Sequence, residues 1–145
     1  MTQEKQLLLA DICSRLSYKV LVLADIDKTF DGGIISRLCS IDIRNDIITI
    51  DNVLTPFYIE EIRPYLRPMS NMTEEEKKEI SILLNYEFYI DDDYALTAED
   101  DRHRITLDLM QVYIDWLNKH HFDYHNLIER GLAIEVTEEN NPYKE

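Results

Sequence analysis

Glycine is scarce in this chain: three residues in 145, beside four prolines. That leaves no Gly-rich loop to cradle a phosphate, since Gly32-Gly33 lacks the flanking pattern such loops need. It also leaves no flexible Gly/Ser-rich linker between domains. Cysteine is nearly absent as well. Cys13 and Cys39 form no C-x-x-C pair, and two isolated thiols are expected to be buried and reduced rather than bridged. Basic residues are the third deficit, with 15 Lys and Arg against 29 Asp and Glu and a formal charge of −14. Non-specific binding to DNA, RNA or an anionic membrane relies on Lys and Arg neutralising phosphates, so the balance argues against a nucleic-acid or membrane role. It leaves room for a basic protein partner. Long apolar runs are missing too. The run Leu7 to Ala10 near the N-terminus is flanked by acids and is no secretory signal, and nothing approaches the ~20 residues of a membrane span. A cytoplasmic location is the resulting expectation.

What is present describes a folded domain. The chain is 45 % apolar with nine tyrosines, too hydrophobic for a disordered polymer and long enough for one sizeable core. Leu8, Ile12 and Leu16 recur at helical spacing within residues 4–16. Tyr18 to Leu23 is a continuous apolar run with two valines, the pattern of a buried strand. After the loop ADIDKTFDGG, Cys39, Ile41 and Ile43 alternate with polar residues in a second strand, Ile34 to Ile43. Arg44-Asn45-Asp46 then turns the chain into Ile47 to Ile50, completing an antiparallel meander.

The joint of the chain is IEEIRPYLRPMSNMTEEEKKEI, Ile59 to Ile80. Pro64 and Pro68 push the residues before them out of the helical region, so 63–68 is expected to be an extended crossing. Thr73 and Glu76 form a capping box at the start of a helix, and Glu74 to Glu76 suit the positive end of its dipole. A longer helix is predicted over Arg104 to His120, with Ile105, Leu109, Val112, Trp116 and His120 on one face. Asp123 is placed to cap a final helix, Tyr124 to Arg130, closed by Gly131. The polar tail from Thr137 is expected to fray. The predicted architecture is therefore α+β: one domain over 1–136, with an antiparallel meander of three or four strands. An N-terminal helix and the long helix of the second half pack against it.

Two blocks, PYLRPMSNMTEEEKKEI and WLNKHHFDYHNLIERGLAIEV, resemble a group of small proteins from gut anaerobic bacteria and their phages. That group shares PYLRP-S-MT-E and WLN-HHFDY-LI-GLA-E patterns. The resemblance implies a phage or prophage accessory setting and carries no activity, cofactor or site residue with it.

Four groups of residues have chemistry to weigh. Asp25-x-Asp27-x-Thr29 after VLVLA resembles the first motif of haloacid-dehalogenase-like phosphatases, in which the first Asp attacks phosphorus, the second is general acid/base and Mg²⁺ screens the charge. That fold requires a parallel sheet, whereas the residues following here read as a hairpin. The ordinary alternative is a polar loop. Tyr86 to Asp101 holds seven acids and no base and reads as an exposed acidic loop. Its Asp91, Asp92, Asp93, Asp100 and Asp101 are the candidate binding residues, either for a protein partner or as mimics of phosphate in a basic groove. They lack the spacing and central glycine of an EF-hand. His121 and His125 lie four apart with Asp123 between them, and no Cys or acidic partners at zinc spacing accompany them, so no metal is assigned. Trp116 and Tyr113 read as core. The leading expectation is a non-catalytic acidic interaction module binding a host or phage protein. The alternative is a Mg²⁺-dependent phosphatase using Asp25 and Asp27. No cofactor follows from the first reading.

Overall fold

Local capping sets the three helices of the computed structural model, which describes residues 2–144. In α1 (Gln3–Arg15), the Thr2 hydroxyl accepts from Lys5 N at 3.2 Å. The chain then passes through β1 (Leu21–Ala24), β2 (Ile34–Asp42), β3 (Ile47–Ile50), β4 (Phe57–Tyr58) and β5 (Ile62–Pro68). In α2 (Glu74–Leu83) the expected capping box is complete: Thr73 Oγ1 accepts from Glu76 N at 3.1 Å, and Glu76 Oε1 accepts from Thr73 N at 3.0 Å. A hairpin of β6 (Phe88–Ile90) and β7 (Leu96–Ala98) follows, then α3 (Leu107–Lys119), capped by Thr106. Two short strands, β8 (Phe122–Asp123) and β9 (Ile134–Glu135), end the sequence of elements.

The class is α+β with a mainly antiparallel sheet, as expected, but the sheet has seven strands rather than three or four. Its order is β4-β3-β2-β1-β5-β8, with β9 also on β5. The meander β1-β2-β3 stands as read from the sequence. The enlargement comes from residues 63–68, which are a sheet strand instead of a crossing: β5 is antiparallel to β1 and parallel to both β8 and β9. Amide groups alternate sides along a strand, which explains how two prolines fit. Arg67 N donates to His121 O at 2.7 Å on one side, whereas Leu66 O accepts from Val136 N at 2.8 Å on the other. The nitrogens of Pro64 and Pro68 share the Leu66 side, where β9 is only two residues long and pairs with Tyr65 and Leu66. The missing donors therefore fall beyond the ends of that short pairing.

Two large apolar clusters divide the interior, and a third small one joins Leu23, Tyr65 and Val136. One joins α1 to the sheet through Leu8, Ile12, Val20, Val22, Leu38, Ile48 and Leu66. The other joins α2, the β6–β7 hairpin and α3 through Ile80, Leu84, Phe88, Leu96, Tyr113, Trp116 and Leu117. So the apolar face of α3 meets α2, the hairpin and Phe122 of β8, and its nearest backbone neighbours are β8 and α1. Its buried residues are Tyr113, Trp116, Leu117 and Asn118, while Ile105 and Val112 of the expected stripe are exposed.

Three further expectations are corrected. The segment after Asp123 is a run of turns rather than a helix: the Asp123 carboxylate accepts from Leu127 N and Ile128 N, both at 2.9 Å, and so caps a turn that goes no further. The tail does not fray at Thr137. The Tyr143 hydroxyl donates to Tyr65 O at 2.8 Å and accepts from Leu21 N at 3.0 Å, bridging β1 and β5. Cys13 and Cys39 are free thiols, but Cys39 is exposed on β2 rather than buried. The shortage of glycine does not limit the turns either, since ten non-glycine residues, including Lys19, Asn52, Asn85 and His121, take left-handed φ.

Candidate functional site

Asp25 leaves β1 into a hairpin loop. Because β1 is antiparallel to both its neighbours, the residue does not stand at the end of a parallel strand as a phosphatase nucleophile would. Its oxygens are occupied by its own loop: Oδ1 accepts from Asp27 N at 3.0 Å, and Oδ2 from Phe30 N at 2.8 Å and the Thr29 hydroxyl at 3.1 Å. The Phe30 amide above all holds this carboxyl below its ordinary range. Asp25 is thus a loop organiser, and Asp27 is exposed beside it.

The acidic stretch is a folded hairpin instead of an open loop. Asp91 Oδ1 accepts from Asp93 N at 2.9 Å and Ala95 N at 3.0 Å, while Oδ2 accepts from the Thr97 hydroxyl at 3.1 Å. These bonds, with the Ala95 amide contributing most, keep Asp91 ionised below the usual carboxylate range. Asp100 organises the turn that follows β7, accepting from Arg102 N at 2.8 Å. Two of the five candidate acids therefore hold the backbone. Asp92, Asp93 and Asp101, together with Glu99, are the exposed ones.

The histidines do not gather. Among the described residues no group of three or more His, Cys, Asp or Glu side chains is placed to hold a metal ion. His121 and His125 go to different neighbours. His125 Nδ1 lies 2.7 Å from Asp11 Oδ2. His121 stacks on the Tyr143 ring, 3.9 Å between centroids at 9°. Burial lowers the His121 pKa to about 4, and the positive charges of Arg15, His120 and Arg67 act in the same direction.

The most buried polar group in the molecule was not anticipated from the sequence. Asp11 and Arg15 are both 0 % exposed on the inner face of α1. Arg15 Nε donates to Asp11 Oδ1 at 2.6 Å, and its Nη2 donates to Asp11 Oδ2 at 3.1 Å and to Phe122 O at 2.7 Å. Tyr124 covers the guanidinium at 4.9 Å, and the Tyr124 hydroxyl donates to Asn118 Oδ1 at 2.7 Å. Burial alone would raise the Asp11 carboxyl. The hydrogen bonds from His125 and Arg15 outweigh it and hold the group below its ordinary value. The i,i+4 spacing of Asp11 and Arg15 beside Leu8 and Ile12 was the available signal.

The two blocks Ile59–Ile80 and Trp116–Val136 meet in space. Arg67 forms a bidentate pair with Glu76 at 2.9 and 2.8 Å, and its guanidinium lies 4.1 Å over the Phe122 ring. The Glu76 carboxyl, which burial would raise, is held low by Arg67 and Thr73. On either side of the His121–Tyr143 stack the surface opens into two adjoining clefts. The larger, about 700 Å³, is lined by residues of the turn that follows α1, β1, β2, the end of α3 and the tail. Among the described residues no helix is long and apolar enough to cross a membrane. No family model, curated protein or solved structure matches the chain.

Proposed function

We propose that this protein is an interaction module whose β6–β7 hairpin docks on a basic surface of a protein partner, in a phage or prophage accessory setting. The observation that carries the reading is the division of labour among the hairpin acids. Asp91 holds the hairpin turn through Asp93 N and Ala95 N, Asp100 holds the turn that follows β7 through Arg102 N, and Asp92, Asp93, Glu99 and Asp101 stay exposed on this ordered frame. A preordered set of charges binds with less conformational cost than a floppy acidic loop. A net charge of −14 adds long-range steering toward a basic partner. Just beyond the hairpin, Leu107 is 90 % exposed and Ile105 is 43 % exposed, which supplies apolar contact beside the acids. The setting is supported by the resemblance of the two blocks, which form one packed unit.

The test is affinity capture from nuclease-treated lysate of the source cells at two salt concentrations, with the wild-type chain and an Asp92→Asn/Asp93→Asn/Asp101→Asn variant. A stoichiometric protein that is lost at high salt and lost from the variant supports the reading. A partner retained equally by the variant removes the hairpin from it.

A further inference from the structure

The larger cleft inverts the sign of the molecule. In a chain with almost twice as many acids as bases, its lining holds Lys19, Arg37, Lys119 and Lys144 and no Asp or Glu. None of these four makes an ion pair with a described residue. α3 and the short 3-10 turn after α1 (Leu16–Tyr18) both end here, and cations suit helix C-termini, which accounts for Lys119 and Lys19. It does not account for Arg37, which sits on β2 opposite Leu21, nor for Lys144 on the tail. The wall between this cleft and its neighbour is His121, whose buried Nδ1 has no hydrogen-bond partner; Nη1 of the fully buried Arg15 has none either. The adjoining cleft adds Arg67 and His120, with Glu138 as its acid. Asp115 stands at the rim beside the Tyr18 hydroxyl. The rest of the large cleft is Ser17 together with Tyr18, Leu21, Pro142 and the Tyr143 ring.

We propose that this cleft binds a phosphate-bearing small molecule of nucleotide shape. The anionic part would be held by Arg37, Lys119 and Lys19, and a planar part would lie against Tyr18 and Pro142. A volume of about 700 Å³ falls within the range of small-molecule sites. Arg37, Lys119 and Lys19 are exposed cations on three separate elements that line one cleft, so an anion bound there gains charge-assisted hydrogen bonds from more than one of them. This site is separate from the acidic hairpin and does not depend on the protein-partner reading.

The experiment is titration calorimetry of the full chain at low ionic strength with ADP, pyrophosphate and adenosine. ADP binds, pyrophosphate binds more weakly, adenosine gives no signal, and added salt weakens both anions. Arg37→Gln and Lys119→Gln each lower ADP affinity about tenfold or more, as expected when a charged contact is lost. Lys78→Gln, an exposed cation on α2, leaves it unchanged. Circular dichroism of each variant checks that the fold is retained. Absence of ADP and pyrophosphate binding at millimolar concentration overturns the proposal. So does pyrophosphate binding without ADP binding, adenosine binding as tightly as ADP, or an equal loss in the Lys78→Gln protein.

Discussion

Arg15→Met removes the guanidinium that ties α1 to the C-terminal block, and the structure sets the size of the effect. Three hydrogen bonds go, two to Asp11 and one to Phe122 O, all made by a side chain with no solvent exposure. The Asp11 charge is left in the interior with His125 as its one side-chain partner at 2.7 Å, and the Phe122 carbonyl loses its donor. Breaking one side of a buried ion pair costs about 3–5 kcal/mol, because the surviving charge is uncompensated. Whole domains are stable by about 5–15 kcal/mol, so the variant should fold but with much of its margin gone. Urea denaturation followed by Trp116 fluorescence measures the loss. The thermal midpoint should fall by roughly 6–20 °C at about 2–4 °C per kcal/mol. The double variant Asp11→Leu/Arg15→Met is the sharper test. It removes both charges and fills the site with apolar volume, so its loss should be smaller than the sum of the single losses by at least about 2 kcal/mol. His125 can tolerate this, since its side chain is 34 % exposed and reaches water. A loss below about 1 kcal/mol for Arg15→Met, or additive losses in the double variant, would refute the claim that the pair holds α1 in place.

Tyr143→Phe deletes the hydroxyl that serves both Leu21 N and Tyr65 O; the cost should be about 1–3 kcal/mol, and hydrogen exchange at the Leu21 amide should accelerate. His121 gives a pH signature. The unfolded chain takes up a proton near pH 6.5 that the folded chain refuses until about 4, so stability from the neutral ring is full above 6.5 and falls as the pH drops toward 4. Between pH 7 and pH 5 the loss is roughly 2 kcal/mol at most, less where solvent screens the ring's exposed edge. His121→Phe, which keeps a ring against Tyr143, should flatten that part of the urea-midpoint profile, and an unchanged slope would exclude His121 as its source. Asp91→Ala should lower the melting temperature while Asp92→Ala leaves it unchanged, since only Asp91 holds the turn. Thr73→Ala should cost about 1 kcal/mol through loss of the cap, read from the same denaturation curves.

The parts of the fold that sequence reasoning reached are those whose partners lie close along the chain. The Thr73–Glu76 box closes over three residues and was read correctly. The meander β1-β2-β3 needed only alternation and a turn. The errors have a common physical source. Pro64 and Pro68 signal the end of a strand unless it is known which edge lacks a pairing partner, and that edge is defined by Ile134 and Glu135, far downstream. Asp11 and Arg15 look like an ordinary surface i,i+4 pair until Phe122 and His125 arrive from the other end of the chain. The acidic run looked like a solvated loop because its composition conceals which carboxylate faces inward. Asp91 does so by bonding residues only two to six positions away.

Charge shows the same difficulty at the level of function. A net charge is a sum over the sequence, and a binding site responds to the charges that folding brings together. Lys19, Arg37, Lys119 and Lys144 come from the turn after α1, from β2, from the end of α3 and from the tail, and the nearest two along the chain, Lys19 and Arg37, are 18 positions apart. Meanwhile Asp92, Asp93, Glu99 and Asp101 are nearly contiguous and dominate any reading by eye. The total of −14 argues only against broad attraction to nucleic acid, because such attraction depends on extended positive surface. It does not bear on a small anion, whose energetics are decided within about a Debye length, roughly 8–10 Å at physiological salt. A chain this acidic can steer a basic protein toward its hairpin from a distance and still hold a phosphate in a cleft where the nearest charges are lysine and arginine. The salt dependence of the two bindings should therefore be separable by variant: hairpin neutralisation alters partner capture and leaves ADP affinity unchanged, and Arg37→Gln does the reverse.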